Sequence, residues 1–309
     1  MASMRLLLQG LQNSIISLSA VADFREKGAD HIGGTAGCVL ASRLSDSPQV
    51  RVLVIERGQL ADTFWSRAPL LSIAYARSDD GVLKYESAPQ RHLNNRKMTM
   101  IAGKLLGGTS RVNNGLYSRC HPAEFLEWGR GWSFEEVSTF YDQSEHNISN
   151  PHKENPDGKW KTRIIPPFFE SSKLYIFFLP WVWFNYRFLD TVTETGVPFV
   201  EDFNDPLMAA SSITKLRTTV TADGHRSSTD KAFLSRKEVE GKKNLRICFG
   251  VIVQKLEIDE NNRVQGVYVE EEKQLDTTFY IKAKEVILCS GAVGSPQMLL
   301  LRYLTCDSA

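Results

Sequence analysis

The sequence predicts an α/β fold, and three stretches carry that prediction. The first is the glycine-rich turn GGTAG at 33–37, followed by apolar residues at helical spacing. The second is VRVLVIE at 50–56, a near-continuous apolar run typical of a buried parallel strand. The third is a β-rich stretch further on, in which LRICFGVIVQKLEI and RVQGVYVE alternate as antiparallel strands do, with DENN as the turn between them.

Length and composition set the limits of the fold. The 309 residues suffice for one large domain or two smaller ones, and the apolar content of 42% and charged content of 24% are ordinary for a globular protein. A net charge of +1 gives no reason to expect a nucleic-acid partner. The cysteines show no CxxC pair, which argues against a disulfide framework or a metal site. They are Cys38, Cys120, Cys248, Cys289 and Cys306.

No stretch of the sequence predicts a membrane span. The most apolar run, Leu174–Phe184, is 11 residues long and contains Pro180, whereas a span needs ~20 apolar residues. The N-terminal segment has Arg5, then leucines, then small residues at 20–22, which weakly resembles a secretory signal. An unstructured or helical extension is the alternative, so a secreted and a cytoplasmic location both stay open.

The glycine turn has the features of a nucleotide-binding loop. Gly34 would let the backbone approach a pyrophosphate, and Gly37 would let the next helix pack closely on the sheet. The helix N-terminus would then offer free N–H groups to the phosphates. The predicted apolar face of this helix consists of Cys38, Val39, Leu40, Ala41 and Leu44.

An acidic residue completes the nucleotide-binding pattern. Glu56 ends the second strand, 19 residues after Gly37. A carboxylate at this place accepts hydrogen bonds from an adenosine ribose. The pattern departs from the usual one at its start, because Ile32 stands where the first glycine is expected and the first strand is about three residues short.

Two later blocks carry further glycine turns. GKLLGGTSRVNNGLYSRCHPAEF (Gly103–Phe125) contains a tight turn that can cap a helix. EVILCSGA predicts a buried strand that runs into a glycine turn, and SPQMLLL predicts a helix with Pro296 in its first turn.

Together these blocks resemble the glucose–methanol–choline (GMC) oxidoreductase family of flavoproteins. The family carries a motif like G-[RK]-x-L-G-G-[ST]-[ST]-x-[IV]-N, which residues 103–113 match, and ADGHRSSTDKAFLSR with the blocks after it keeps the family's order. The resemblance spans roughly 30–150 and 195–301. Cys120 stands where the family usually has glycine, and Leu126 where it usually has a polar or acidic residue.

The resemblance implies FAD as the cofactor and a Rossmann-like FAD-binding domain interleaved with a partial α+β substrate domain. The implied domains are an N-terminal extension at 1–29, a first FAD-binding part at 30–150, a partial substrate domain with an aromatic insert at 151–220, and a second FAD-binding part at 221–309. Val253 would reach the adenine through its backbone. The predicted cofactor-binding residues are Gly33, Gly34, Thr35, Ala36, Gly37, Glu56, Gly103, Leu106, Gly107, Gly108, Thr109, Asn113, Asn114, Gly115, Val253, Ser290, Gly291 and Ala292.

The resemblance also implies a reaction, the oxidation of the CH–OH group of a small-molecule alcohol by hydride transfer to the flavin, with oxygen or another acceptor. The family's catalytic base is a histidine in a C-terminal half that this chain does not carry, so no catalytic residue is assigned. His121 and His225 are expected to be exposed loop residues. A catalytically inactive FAD-binding fragment is the alternative. An NAD-dependent dehydrogenase ranks last, because it leaves the second and third blocks unexplained.

Overall fold

The computed structural model describes residues 30–31, 34–60, 63–68, 81–148, 158–164, 187–208, 211–272 and 274–304. The chain divides into two compact units. Unit 1 comprises Met1–Asn113 and Ser228–Ala309, and unit 2 comprises Asn114–Ser227. The sequence predicts boundaries at 150 and 220, whereas the units change over at 113 and 227. The N-terminal extension, Gly33 and the aromatic run at 174–184 lie outside the described residues.

The described residues contain a mixture of helices and strands. The strands are β1 (Asp30–His31), β2 (Val52–Glu56), β3 (Val82–Glu86), β4 (Thr99–Gly103), β5 (Glu145–Asn147), β6 (Trp160–Ile164), β7 (Phe199–Val200), β8 (Ile213–Thr214), β9 (Arg217–Thr218), β10 (Leu245–Phe249), β11 (Val251–Ile258), β12 (Val264–Glu271) and β13 (Gln274–Lys282). The helices are α1 (Gly34–Leu44), α2 (Phe64–Arg67), α3 (Phe134–Ser144), α4 (187–194), α5 (Thr229–Phe233), α6 (Arg236–Glu240) and α7 (Gly291–Leu304).

Unit 1 is built on a parallel sheet in the order β1-β2-β10. All five residues of β2 are buried, and α1 connects β1 to β2, so this helix and this strand of the sequence prediction are confirmed. Cys38 and Ala41 of α1 are fully buried in one hydrophobic cluster with Val52 and Val54. Two described residues of β1 pair with β2, beginning at Asp30 opposite Val52.

The predicted antiparallel pair is split in two by a glycine. Gly250 has φ +70°, and the chain on either side of it enters different sheets. β10 runs parallel to β2, whereas β11 pairs antiparallel with β12 and β12 with β13. The predicted antiparallel pairing across the turn at 259–262 is therefore confirmed for β11 and β12. The prediction is wrong only for residues 245–249, which join the parallel sheet because the positive φ of Gly250 turns the chain where an extended strand would continue straight.

Two predictions about the last block are also wrong. Residues 285–289 form no strand ladder, although Val286 and Leu288 pack on one hydrophobic cluster and Ile287 and Cys289 on the other. The alternation of an extended chain is kept, with its side chains divided between the two clusters, but the stretch pairs with no described strand. The helix begins at Gly291, so Pro296 is its sixth residue and lies beyond the first turn. Within the described residues, no helix has both the length and the apolar character needed to cross a bilayer.

Unit 2 is organised around short strands rather than one broad sheet. β5 runs parallel to β6, and β6 antiparallel to β9. The helix before β5 has a full capping box, in which Ser133 and Glu136 each accept a hydrogen bond from the other's backbone N–H. Because these strands are short, much of the unit's interior is polar, with Glu145, Arg217 and Thr162 all buried.

Candidate cofactor-binding site

The N-terminus of α1 is the first part of the site. The helix begins at Gly34, which has φ +86°, so its first backbone N–H groups have no partner within the helix. A Cβ atom at this position would lie 2.6 Å from the carbonyl oxygen of Cys289, which means that only glycine fits. Thr35, Ala36 and Gly37 follow in the first turn.

The second glycine motif meets the first one backbone to backbone. Gly107 has φ +90° and Gly108 φ +53°, and a short 3-10 helix follows at Gly108–Arg111. A Cβ atom on Gly108 would lie 2.8 Å from the Thr35 nitrogen and 3.0 Å from the Gly34 Cα atom. Two motifs that are far apart in sequence therefore form one surface, and glycine is required at their contact.

Two hydroxyl groups in this region are engaged within the protein. The Thr35 Oγ1 atom donates to the Gly107 carbonyl oxygen at 2.9 Å and accepts from the Ser110 N–H at 3.1 Å. The Thr109 Oγ1 atom accepts from the Gly103 N–H at 3.2 Å. Thr35 thus ties the two glycine motifs together, while Thr109 closes the start of the second loop.

Glu56 places a buried carboxylate at the end of β2. Its Oε1 atom accepts a hydrogen bond from the Gly58 N–H at 2.9 Å, and the side chain is 7% exposed. Burial raises the pKa of Glu56 to about 7, and the nearby Glu272 carboxylate adds to the rise. Hydrogen bonds from the Gly58 and Gly34 amides oppose it. In the described part of the chain, no lysine or arginine forms an ion pair with Glu56.

The third block contains a glycine turn that the described residues do not crowd. Gly291 starts α7 with φ +78°, and a Cβ atom built there would meet no described heavy atom within 4 Å. Ser290 and Ala292 beside it are exposed. The carbonyl of Cys289, just before this turn, is the atom that crowds Gly34, so the block lies next to the α1 N-terminus.

Other predicted site residues have different surroundings. Leu106 is 3% exposed and belongs to the core cluster around α1 and β2. Val253 is half-buried in β11, opposite Val269.

Three predicted residues at the end of the second motif lie among backbone hydrogen bonds. The Asn113 N–H donates to the Thr109 carbonyl oxygen at 2.8 Å. Asn114 and Gly115 fall in unit 2, where the Gly115 carbonyl oxygen accepts a 2.7 Å hydrogen bond from the Thr219 N–H.

The histidines have the environments expected of loop residues. His121 is exposed, and its Nδ1 atom accepts from the Ala123 N–H at 3.2 Å, so it caps a short 3-10 helix. His225 is exposed in a turn, with its Nε2 atom 3.6 Å from the Asp223 Oδ2 atom. The sequence prediction for both is confirmed.

A buried polar cluster beside the second loop was not predicted. Arg111, Thr229 and Asp230 are each no more than 3% exposed. Arg111 and Asp230 form an ion pair, with 2.7 Å between the Arg111 Nη2 atom and the Asp230 Oδ2 atom. The available signal was the run SSTD at 227–230, which spans the start of the short helix α5, since Ser and Thr followed by Asp mark helix starts. That signal identifies the cap but gives no partner 119 residues away.

Comparison with known proteins identifies the family. The family model described as GMC oxidoreductase matches residues 31–302. The chain belongs to the GMC oxidoreductase family. It is 28% identical over 286 residues to the dehydrogenase str4 of Strobilurus tenacellus, covering 87% of this chain and 44% of that protein.

Two further relatives are similar to this chain. The oxygen-dependent choline dehydrogenase of Vibrio vulnificus is 30% identical over 274 residues, covering 87% of this chain and 45% of that protein. The crystal structure of pyridoxine 4-oxidase from Mesorbium loti superposes with a TM-score of 0.74 at 27% identity, covering 88% of this chain and 51% of that one. The chain therefore spans about half the length of the relatives it matches. Membership of the family implies FAD.

The residues of unit 1 fit a dinucleotide in their chemistry. The α1 N-terminus offers amide donors to phosphate oxygens. The Glu56 carboxylate is a hydrogen-bond acceptor that no cation neutralises among the described residues, which suits the hydroxyl donors of a ribose. No described atom lies within 4 Å of a Cβ atom built on Gly291, which follows the Cys289 carbonyl that contacts Gly34.

Proposed function

We propose that unit 1 binds FAD and that the protein is an FAD-dependent oxidoreductase acting on the CH–OH group of donors. The observation that carries the proposal is the meeting of the two glycine motifs at the α1 N-terminus, with Gly108 against Gly34. A nucleotide-binding turn of the NAD type needs the first motif and the acidic residue alone. A second glycine loop at the same helix end favours the flavin family to which the chain belongs.

Each part of unit 1 has a role in this proposal. The free amides of the first turn of α1 hold the pyrophosphate. Glu56 accepts hydrogen bonds from the ribose hydroxyl groups. Gly107 and Gly108 allow the second loop to approach the N-terminus of α1 closely. The turn at 290–292 lies beside the dinucleotide. The Val253 backbone faces the adenine, so that the two stretches of unit 1 form one interleaved, Rossmann-like FAD-binding domain.

The donor class rests on what the relatives' names say of them. Those proteins are named for choline and pyridoxine, which both carry hydroxyl groups. We therefore propose a small-molecule alcohol as the substrate, and bound FAD would supply the hydride acceptor. No described histidine is assigned as the base that removes the hydroxyl proton, since His121 serves as a helix cap and His225 lies in an exposed turn beside Asp223.

The test of cofactor binding is a titration of the purified chain with FAD, followed by flavin absorbance and fluorescence. We expect Glu56→Ala to weaken binding by on the order of 1–3 kcal/mol, because the ribose hydroxyls lose their buried acceptor. Glu260→Ala, at an exposed turn of the same unit, is the matched control and should bind as wild type does. A wild-type chain that binds NAD⁺ but not FAD would overturn the proposal.

The donor class is tested separately, by mixing the flavin-loaded chain with aliphatic and aryl alcohols and choline without oxygen. Loss of the flavin absorbance on mixing supports an alcohol oxidoreductase. Tight FAD binding with no reduction by any of these alcohols supports the alternative, an FAD-binding fragment without turnover.

A further inference from the structure

The buried ion pair between Arg111 and Asp230 is the most completely enclosed charged contact in the described part of unit 1. The two side chains are 1% and 3% exposed, and the Arg111 Nη2 atom lies 2.7 Å from the Asp230 Oδ2 atom. The other end of the guanidinium, Nη1, donates to the Ser66 Oγ atom at 3.0 Å. The Ser228 hydroxyl donates to the Asp230 Oδ1 atom at 2.6 Å. The pair thus joins three separate segments of unit 1.

This pair contacts the second glycine loop directly. A Cβ atom on Gly107 would lie 2.5 Å from the Asp230 Oδ1 atom and 3.2 Å from the Arg111 Cγ atom. The carboxylate therefore packs against the Gly107 Cα atom, at the residue whose φ of +90° turns the loop toward α1. A displaced carboxylate would free this residue to take other backbone conformations, since glycine has many.

Two neighbouring hydroxyl groups also hold Gly107 in place. The Gly107 carbonyl oxygen accepts from Thr35 Oγ1 at 2.9 Å and from Ser110 Oγ at 2.7 Å. The Ser110 hydroxyl in turn accepts from the Thr229 N–H at 3.1 Å. Because Thr229 precedes Asp230 at the start of α5, the helix holds the loop through a backbone amide and through a carboxylate.

We infer that Arg111 and Asp230 are positioning residues for the cofactor site: they fix the conformation of Gly107–Gly108 against the α1 N-terminus and so set the affinity for FAD. The inference rests on the proposed function. Stability alone is a weak reason for such a pair, because buried ion pairs can often be replaced by apolar residues without loss of stability. An apolar pair cannot supply the two hydrogen bonds by which the planar Arg111 guanidinium contacts Ser66 and Asp230 at the same time.

The decisive variant is the double substitution Arg111→Met with Asp230→Leu, compared with each single substitution. Leucine keeps the branching of aspartate, and the double change leaves no unpaired charge inside. We expect both single variants to be destabilised, and the double variant to regain thermal stability. The double variant should still bind FAD about tenfold more weakly, since the loop has lost its charged contacts.

Hydrogen exchange of the loop amides gives a second measurement that needs no cofactor. The Gly108 N–H donates to the Leu105 carbonyl oxygen and the Ser110 N–H to Thr35 Oγ1. Both amides should exchange faster in the double variant than in wild type. If wild type binds no FAD, the proposed function fails, and the exchange rates still decide whether the pair positions the loop.

A double variant with wild-type stability, FAD affinity and loop exchange would overturn the inference. If the double variant does not fold, Arg111→Lys decides, because it keeps the charge but loses the fork that reaches Ser66 and Asp230 together. Unchanged loop exchange and FAD affinity in that variant would equally overturn it. Arg236→Met with Glu240→Leu removes an exposed ion pair of unit 1 and is the control for charge loss.

Discussion

Glu56 of unit 1 and Glu145 of unit 2 are both buried carboxylates, but their surroundings differ. Glu56 is held by backbone amides, and burial raises its pKa to about 7. Glu145 lies between two guanidinium groups, with Arg217 Nη1 at 3.0 Å from one oxygen and Arg119 Nε at 3.0 Å from the other. Burial alone would lower the pKa of Arg119, and the Glu145 carboxylate more than offsets it.

The difference is the one expected between a structural carboxylate and the binding role that we propose for Glu56. A buried charge is costly unless it is paired, so Glu145 with its arginines and the Thr162 hydroxyl is a self-contained structural unit. Glu56 forms no ion pair with a described lysine or arginine, as expected of a carboxylate whose role is to bind a ligand. Four changes test this contrast.

The largest expected effect is the loss of the paired carboxylate. Glu145→Ala leaves the buried Arg217 and the partly buried Arg119 without their shared partner and should reduce the free energy of unfolding by about 3–5 kcal/mol. Urea unfolding measures the loss. Glu127→Ala, at an exposed position of unit 2, is the control and should change little. A loss for Glu145→Ala no larger than for the control would show that the pairing is not structural.

The unpaired carboxylate should instead make stability depend on pH. Folding raises the pKa of Glu56 from 4.5 to about 7, so the folded protein binds this proton more tightly than the unfolded one. Its contribution to stability is full below pH 4.5 and is lost as the pH rises to 7, by roughly 3 kcal/mol in all. Glu56→Gln should remove this part of the pH dependence. Identical pH profiles of unfolding for both proteins would contradict the raised pKa.

The affinity for FAD should change with pH in the opposite direction. Ribose hydroxyls donate to the ionised carboxylate, so binding lowers the pKa of Glu56 and releases its proton. Below pH 7 the affinity should therefore rise by up to about tenfold for each pH unit, and level off above it. Titrations at pH 5, 6, 7 and 8 measure this, with Glu56→Gln as a pH-independent reference. An affinity that falls between pH 5 and 7 would remove the ionised form from the binding reaction.

The sequence predicted the local part of this contrast and missed the long-range part. The turn, α1, β2 and Glu56 were predictable because helical spacing and a continuous apolar strand are local patterns. The split at Gly250 was missed because glycine inside an alternating run does not reveal the sign of its φ. The missing ladder at 285–289 and the Arg111–Asp230 pair both depend on how segments that are distant in the sequence pack together. No spacing rule predicts either one, and the cofactor-binding residues remain a prediction.

The smallest expected effect concerns Cys120, in the loop of unit 2 directly after Arg119. Cys120 is exposed and has φ +62°, a left-handed conformation that costs a residue with a Cβ atom about 1–2 kcal/mol. This is also the position where the GMC family usually has glycine. Glycine adopts the conformation without strain but loses more entropy on folding, so Cys120→Gly should stabilise the protein by a net ~0.5–1 kcal/mol.

The control for this change is Cys120→Ala, which removes the thiol but keeps the Cβ atom. The Cys120 N–H donates to the Ser118 Oγ atom at 3.1 Å, and both variants keep that bond. Thermal unfolding of the three proteins should therefore place glycine above cysteine, with alanine close to cysteine. Equal gains for both substitutions would assign the effect to the thiol. Stability that is unchanged by glycine would mean that the loop relaxes the strain at no cost.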